Sequence, residues 1–153
     1  MVSKGSDGYP RPSSPAVTRV MKAVRRVDTS PEVKLRSALH RGGYRFRKDM
    51  ALVVGGQRCR PDIVFTRQMV AVFVDGCLWH SCPYHGHQPR LNTDYWQPKL
   101  RRTRERDKAE TEALRASGWE VIRIWEHMPI AEAYDLVTGI LNRRLKGTNK
   151  APP

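Results

Sequence analysis

Acidic side chains are scarce in this chain: 15 Asp plus Glu face 28 Lys plus Arg in 153 residues, a net charge of +13. So large an imbalance in a small protein makes a polyanion the expected partner, nucleic acid before membrane. Long apolar runs are missing as well. No segment approaches the ~20 apolar residues of a spanning helix, and residues 1–15, MVSKGSDGYPRPSSP, lack the apolar stretch of a secretory signal. Cysteine is sparse and odd in number, three residues with two at ligand spacing, which argues against a disulfide framework and for a cytosolic protein. Internal repeats and linkers are absent. Residues 1–15 are rich in Gly, Ser and Pro, and the end of the chain, KGTNKAPP, has no apolar period. Disordered tails are therefore expected over residues 1–15 and 145–153, around one domain at 16–144 that is long enough to bury a core.

What is present is concentrated in one place. The stretch FVDGCLWHSCPYH, residues 73–85, follows an apolar run at 69–74 with the β-branched and aromatic content of a buried strand. Metal-ligating and proton-handling side chains crowded onto a strand exit point to a site, where an ordinary loop would carry Gly, Asn, Ser and Lys. Cys77, Cys82 and His85 form C-x4-C-x2-H, and His127 follows a later strand at Trp125-Glu126-His127. Two thiolates and two imidazoles from the protein describe a closed, structural Zn²⁺ site. His80 and His87 are rival ligands, and Cys59 is expected to be an ordinary semi-buried thiol.

The periodicities predict the order α–α–β–β–β–α–β–α. Helices are expected at 16–26, from a Thr29/Glu32 capping box to about residue 40, at 94–117 and at 131–144, with stops at Gly42-Gly43 and Gly118. Strands are expected at 44–47, 62–65, 69–74 and 119–125. A turn at 66–68 would bring Asp62 and Asp75 to one end of a hairpin, where two carboxylates can hold Mg²⁺. His80, unless it is a zinc ligand, is a candidate general acid or base beside that cation. On the long charged helix, Trp96, Leu100, Thr103, Asp107, Thr111 and Leu114 share one face at ~100° per residue. Asp107 thus points inward, where an unpaired carboxylate is costly; it is paired with a buried Arg or it orients a catalytic histidine. The other faces carry Lys99, Arg101, Arg102, Arg104, Arg106 and Lys108, a surface suited to phosphates.

The segments MKAVRRxDTSPE, RPDIVF, VAVFVDGCLWHSCPYH, YWxxKxxRTxERD and GWxVIxIWEH, spanning about residues 20–127, resemble the very short patch repair (Vsr) DNA mismatch endonucleases. That resemblance implies the α/β restriction-endonuclease-like fold, a mixed four-strand sheet flanked by helices with a structural zinc site. It implies Mg²⁺-dependent nicking of one strand of double-stranded DNA beside a T:G mismatch left by deamination of 5-methylcytosine. By it, Asp62 matches the Mg²⁺-binding aspartate and Val74 the residue whose backbone carbonyl is a second ligand. His80 matches the catalytic histidine, Asp107 the acid that supports it, and Glu32 a glutamate contacting water in the Mg²⁺ shell. Cys77, Cys82, His85 and His127 fall where the structural zinc ligands do. Met21, Leu78 and Trp79 fall on the apolar wedge that enters the base stack. Some members have a histidine in place of Asp75 and a phenylalanine in place of Leu78. A monomer acting in the cytoplasm on the nucleoid, linked to a DNA cytosine methyltransferase and other mismatch repair proteins, is the implied setting. The other readings are a nuclease of this fold with another DNA target, and a non-catalytic zinc-braced DNA-binding module.

Overall fold

The computed structural model describes residues 14–16, 19, 27–77, 80–85 and 90–148. Most of the expected first helix at 16–26 therefore lies outside the described residues. The first full helix, α1 (Ser30–Arg41), begins after Thr29, whose extended backbone suits an N-cap but whose side chain makes no cap hydrogen bond. The capping box is thus only half realised: Glu32 reaches back to the Asp28 N–H at 3.0 Å, one residue earlier than expected. The helix ends at Gly42, where an added Cβ would stand 2.2 Å from the Tyr134 hydroxyl, and Gly43 turns the chain with φ +87.

Five short strands follow: β1 (Arg47–Lys48), β2 (Leu52–Val54), β3 (Gln57–Cys59), β4 (Ile63–Phe65) and β5 (Val70–Asp75). The helix α2 (Thr93–Ala116), the strand β6 (Glu120–Trp125) and the helix α3 (Ile130–Thr148) complete the described chain. The main sheet runs β1-β4-β5-β6, antiparallel except for the parallel β5–β6 pair that α2 bridges. This is the mixed four-strand α/β sheet that the sequence predicts.

Three elements depart from expectation. The strand expected at 44–47 starts only at Arg47, because the Tyr44 N–H closes the end of α1 on the Leu39 carbonyl and its ring packs on Tyr134. A separate hairpin, β2–β3, was not anticipated; Gly55 and Gly56, at φ +53 and +76, form its turn, which Gly-Gly permits without steric cost. The last helix continues to Thr148, so the first residues of the expected C-terminal tail, from 145, are helical.

Alternation along β5 and β6 divides the core between two faces. Val70, Val72, Ile122 and Ile124 pack with Leu35 and Leu39 of α1 and Ala133, Val137 and Leu141 of α3. Ala71, Phe73 and Val121 pack on the other face with Leu114 of α2 and Cys59 of the hairpin. Cys59 is therefore fully buried, 1% exposed, rather than semi-buried. Strands covered on both sides read as continuous apolar runs, and a fully buried Val or Leu in them contributes ~1.5–3 kcal/mol. Among the described residues, no helix is long and apolar enough to cross a membrane.

Candidate active site

The two faces meet polar chemistry at the end of β5. The β4–β5 ladder stops at Ile63↔Val72, where the Asp62 N–H donates to the Val72 carbonyl at 3.0 Å. One step further the Val74 N–H donates to Asp62 Oδ2 at 2.7 Å. Both sit on the wall of a cleft of about 510 Å³ that Glu32, Asp75, His80 and Asp107 also line. Glu32 is 3% exposed, with Oε2 held by the Asp28 N–H and near Arg36 at 3.8 Å. Burial above all, then the charges of Glu32, Asp75 and Asp49, push Asp62 up to about 7 against the opposing Val74 hydrogen bond. A carboxylate so disfavoured as an anion, with oxygen donors around it, suits a hard divalent cation.

His80 enters the cleft from the loop after β5. Its Nδ1 is hydrogen-bonded to Asp107 Oδ2 and lies 3.6 Å from Asp75 Oδ1, which leaves Nε2 for a substrate. Burial opposes the charged imidazole most, but the Asp107 hydrogen bond and the charges of Asp75 and Asp107 outweigh it, so the His80 pKa is raised. Asp107 meets both fates open to it in the sequence: it holds His80, and Arg123 stands 3.8 Å from its Oδ1. Asp75, 6% exposed, accepts from Arg123 Nη1 on both oxygens at 2.9 and 3.0 Å. Its carboxylate thus faces a guanidinium as well as His80.

The same loop carries three members of a sulfur and imidazole cluster, and His127, just after β6, is the fourth. The ligand atoms of Cys77, Cys82, His85 and His127 all lie within 4.8 Å of one another. Cys77 Sγ is 3.1 Å and Cys82 Sγ 3.8 Å from His127 Nδ1. Cys82 Sγ lies 3.9 Å and His127 Nδ1 3.3 Å from His85 Nδ1. Zinc bonds of ~2.3 Å to sulfur and ~2.0 Å to nitrogen at tetrahedral angles give edges of roughly 3.3–3.8 Å, close to those observed. Burial first, and then Cys82 beside it, raises the Cys77 thiol to about 11, so its thiolate is disfavoured unless a bound cation compensates the charge. The Cys77 N–H is anchored on Glu126 Oε1 at 2.9 Å, and the His127 ring stacks on Trp125.

Glu32, Asp62, Val74, Asp75, His80 and Asp107 are thus brought to one cleft, and the four expected zinc ligands to one cluster. His80, engaged with Asp107, is not part of that cluster. Met21, Leu78, Trp79 and His87 lie outside the described residues. Sequence reasoning missed Arg123 and Glu110, which also line the cleft. Arg123 did leave a signal, a lone cation within the apolar strand EVIRIW, where burial without partners would be costly. Glu110, its pKa raised chiefly by burial, leaves no such mark in a helix as charged as α2.

The profile of the family described as "DNA mismatch endonuclease Vsr" matches residues 14–87. The chain is 50% identical over 138 residues to "Type II nicking enzyme V.NaeI" of Lentzea aerocolonigenes, covering 90% of this chain and 83% of that protein. It is 40% identical over 129 residues to "Type II nicking enzyme V.XorIIP" of Xanthomonas oryzae pv. oryzae, covering 83% and 87%. With "DNA mismatch endonuclease Vsr" of Escherichia coli it shares 34% identity over 108 residues, 69% of this chain and 66% of the other.

Proposed function

Since the chain belongs to the Vsr family of DNA mismatch endonucleases, nucleases acting on DNA phosphodiester bonds, we propose that it nicks one strand of a duplex beside a T:G mismatch. The observation that carries this reading is the convergence of the Asp62 carboxylate and the His80–Asp107 pair on one cleft at the end of β5. A non-catalytic DNA-binding module would gain nothing from a desolvated carboxylate beside a charge-oriented imidazole.

Asp62, with the Val74 backbone carbonyl, would hold Mg²⁺, and Glu32 would contact water in its shell. When bound, the cation supplies positive charge to the scissile phosphate. Val74 fixes one Asp62 oxygen through its N–H, so the other is presented to the cleft. Asp107 holds His80 by Nδ1 and favours the protonated ring, so Nε2 can give a proton to the departing oxygen. Asp75 reinforces that charge state from 3.6 Å. Cys77, Cys82, His85 and His127 would hold a structural Zn²⁺ that fixes the loop carrying His80. The fold is of the restriction-endonuclease-like kind, and α3 carries its domain past the expected boundary at residue 144.

Met21, Leu78 and Trp79 form the wedge of this reading. Inserting apolar side chains unstacks a base step at a cost of roughly a few kcal/mol, and a T:G pair lowers that cost relative to a matched pair. Such mismatches arise where 5-methylcytosine deaminates, which links the activity to a DNA cytosine methyltransferase. The test compares nicking of T:G and matched duplexes in several sequence contexts, with Mg²⁺ and with EDTA. Mg²⁺-dependent nicking confined to T:G duplexes is expected, and Trp79→Ala should lose the discrimination while keeping zinc and fold. Equal cutting of matched duplexes would assign the chain to another DNA target, and absence of cutting would return it to a binding role.

A further inference from the structure

Resting on the nuclease reading above, we infer that Arg123 is a positioning residue for strand cleavage, a clamp that fixes Asp75 and the Asp107 turn around His80. Arg123 pairs with Phe73 across the parallel β5–β6 ladder, and alternation puts Asp75, two residues on, on the same face. Its guanidinium lies over the Phe73 ring, 4.2 Å from the centroid, and every nitrogen is engaged. Nη1 donates to both Asp75 oxygens, Nε to Thr111 Oγ1 at 3.0 Å, and Nη2 to the Asp107 carbonyl at 3.2 Å.

Neutralising a buried carboxylate requires only a positive charge. The planar fork does more, because one rigid group grips β5 through Asp75 and α2 through Thr111 and the Asp107 main chain. The two residues it ties together are the two whose carboxylates flank His80 Nδ1. Holding them sets the direction of the imidazole, and a displacement of about 1 Å at a reacting group can cost roughly 100-fold in rate.

The test uses the full chain, with kcat and KM for the duplex that the wild type nicks, duplex affinity in EDTA, and thermal stability. Lysine keeps the charge but not the fork. Arg123→Lys is expected to lower kcat by about 100-fold while KM and affinity in EDTA stay within about threefold. Wild-type kcat in that variant would overturn the inference. The second comparison, which also serves if the lysine variant does not fold, is Asp75→Asn against Asp75→Asn with Arg123→Met. A clamp predicts a further loss of about tenfold or more in kcat, because the grip on Asp107 is gone. A neutraliser of Asp75 alone predicts none, since that carboxylate is gone while Asp107 Oδ1 and Glu110 Oε2, 3.8 and 3.9 Å from the guanidinium, are unchanged, and that equality would also overturn it. A wild type that nicks no duplex removes the nuclease reading and this role together, whereas a wild type and lysine variant that cut alike remove the role alone.

Discussion

Ionisation of Asp62 works against the fold, and that gives its chemistry a measurable sign. Its pKa in the folded chain is raised from 3.8 to about 7, mainly by burial. A carboxyl whose folded pKa lies above its unfolded one costs nothing below the unfolded value. It destabilises increasingly as pH rises towards the folded value, at ~1.4 kcal/mol per unit and so by a few kcal/mol in all. Asp62→Asn should therefore abolish nicking yet raise the melting temperature in EDTA at pH 8, with the gain vanishing near pH 4. A gain equal at both pH values would place the effect elsewhere. His80 has the opposite charge logic. Asp107 and Asp75 raise its pKa against the effect of burial, so a proton-donating His80 loses its proton, and the reaction its rate, only above the ordinary histidine range. Asp107→Asn removes the charge, and weakens the hydrogen bond, that sustain the imidazolium. The alkaline fall in kcat should then shift to lower pH, and an unmoved profile would take His80 out of the proton transfer.

Among the described residues of the loop between β5 and α2, little regular structure holds the chain. The His80 N–H bonds the Gly76 carbonyl, the Cys82 N–H bonds the Cys77 carbonyl, and Ser81 takes φ +55. His80 and three of the four clustered groups, Cys77, Cys82 and His85, share this segment, so bracing the cluster and aiming the imidazole are one task. The purified protein should contain about one zinc per chain, since closed four-ligand sites bind the metal as part of folding. Cys82→Ala should lower zinc content, melting temperature and nicking together, as read by metal analysis, calorimetry and strand cleavage. Retained zinc with lost nicking would uncouple the brace from the site. The β2–β3 hairpin shows the other side of element-scale reading. Its Gly55-Gly56 turn is a hairpin signal, but strands of three residues are too short to show alternation.

At the scale of the molecule, a net charge of +13 must be expressed on the surface, and α2 displays much of it. Arg101 and Lys108 lie within 4.0 and 3.8 Å of Glu105 and Glu112 one turn on. Exposed pairs of this kind contribute only ~0.3–0.5 kcal/mol, and their cations remain available to phosphates. Duplex affinity should fall steeply with salt. Changing Arg101 and Arg102 together to Ala should weaken T:G and matched duplexes alike and reduce the slope of log affinity against log salt by roughly 1.8, about 0.9 per contact. Titrations at several salt concentrations check this, and an unchanged slope would make that face a solvated one.

Local chemistry made much of this protein legible before any coordinates. The apolar run that became β5 needed no partner to identify it, because covered parallel strands are apolar throughout. The inward stripe of α2 could be read from helical spacing, and it put Asp107 where it had to find a partner. The four clustered ligands were recognisable by residue type and spacing. Their closure was not, since His127 meets Cys77 only because β6 lies parallel beside β5 and places Glu126 against the end of Asp75. Nor could the sequence choose between an arginine and a histidine for Asp107. Both converge on it, across 16 residues in one case and 27 in the other, and only the packing of α2 over β5 and β6 sets those distances. Arg123 is the clearest case. Its partners Asp75, Thr111 and Asp107 come from a strand and a helix, and no periodicity within one element can encode a contact made between two.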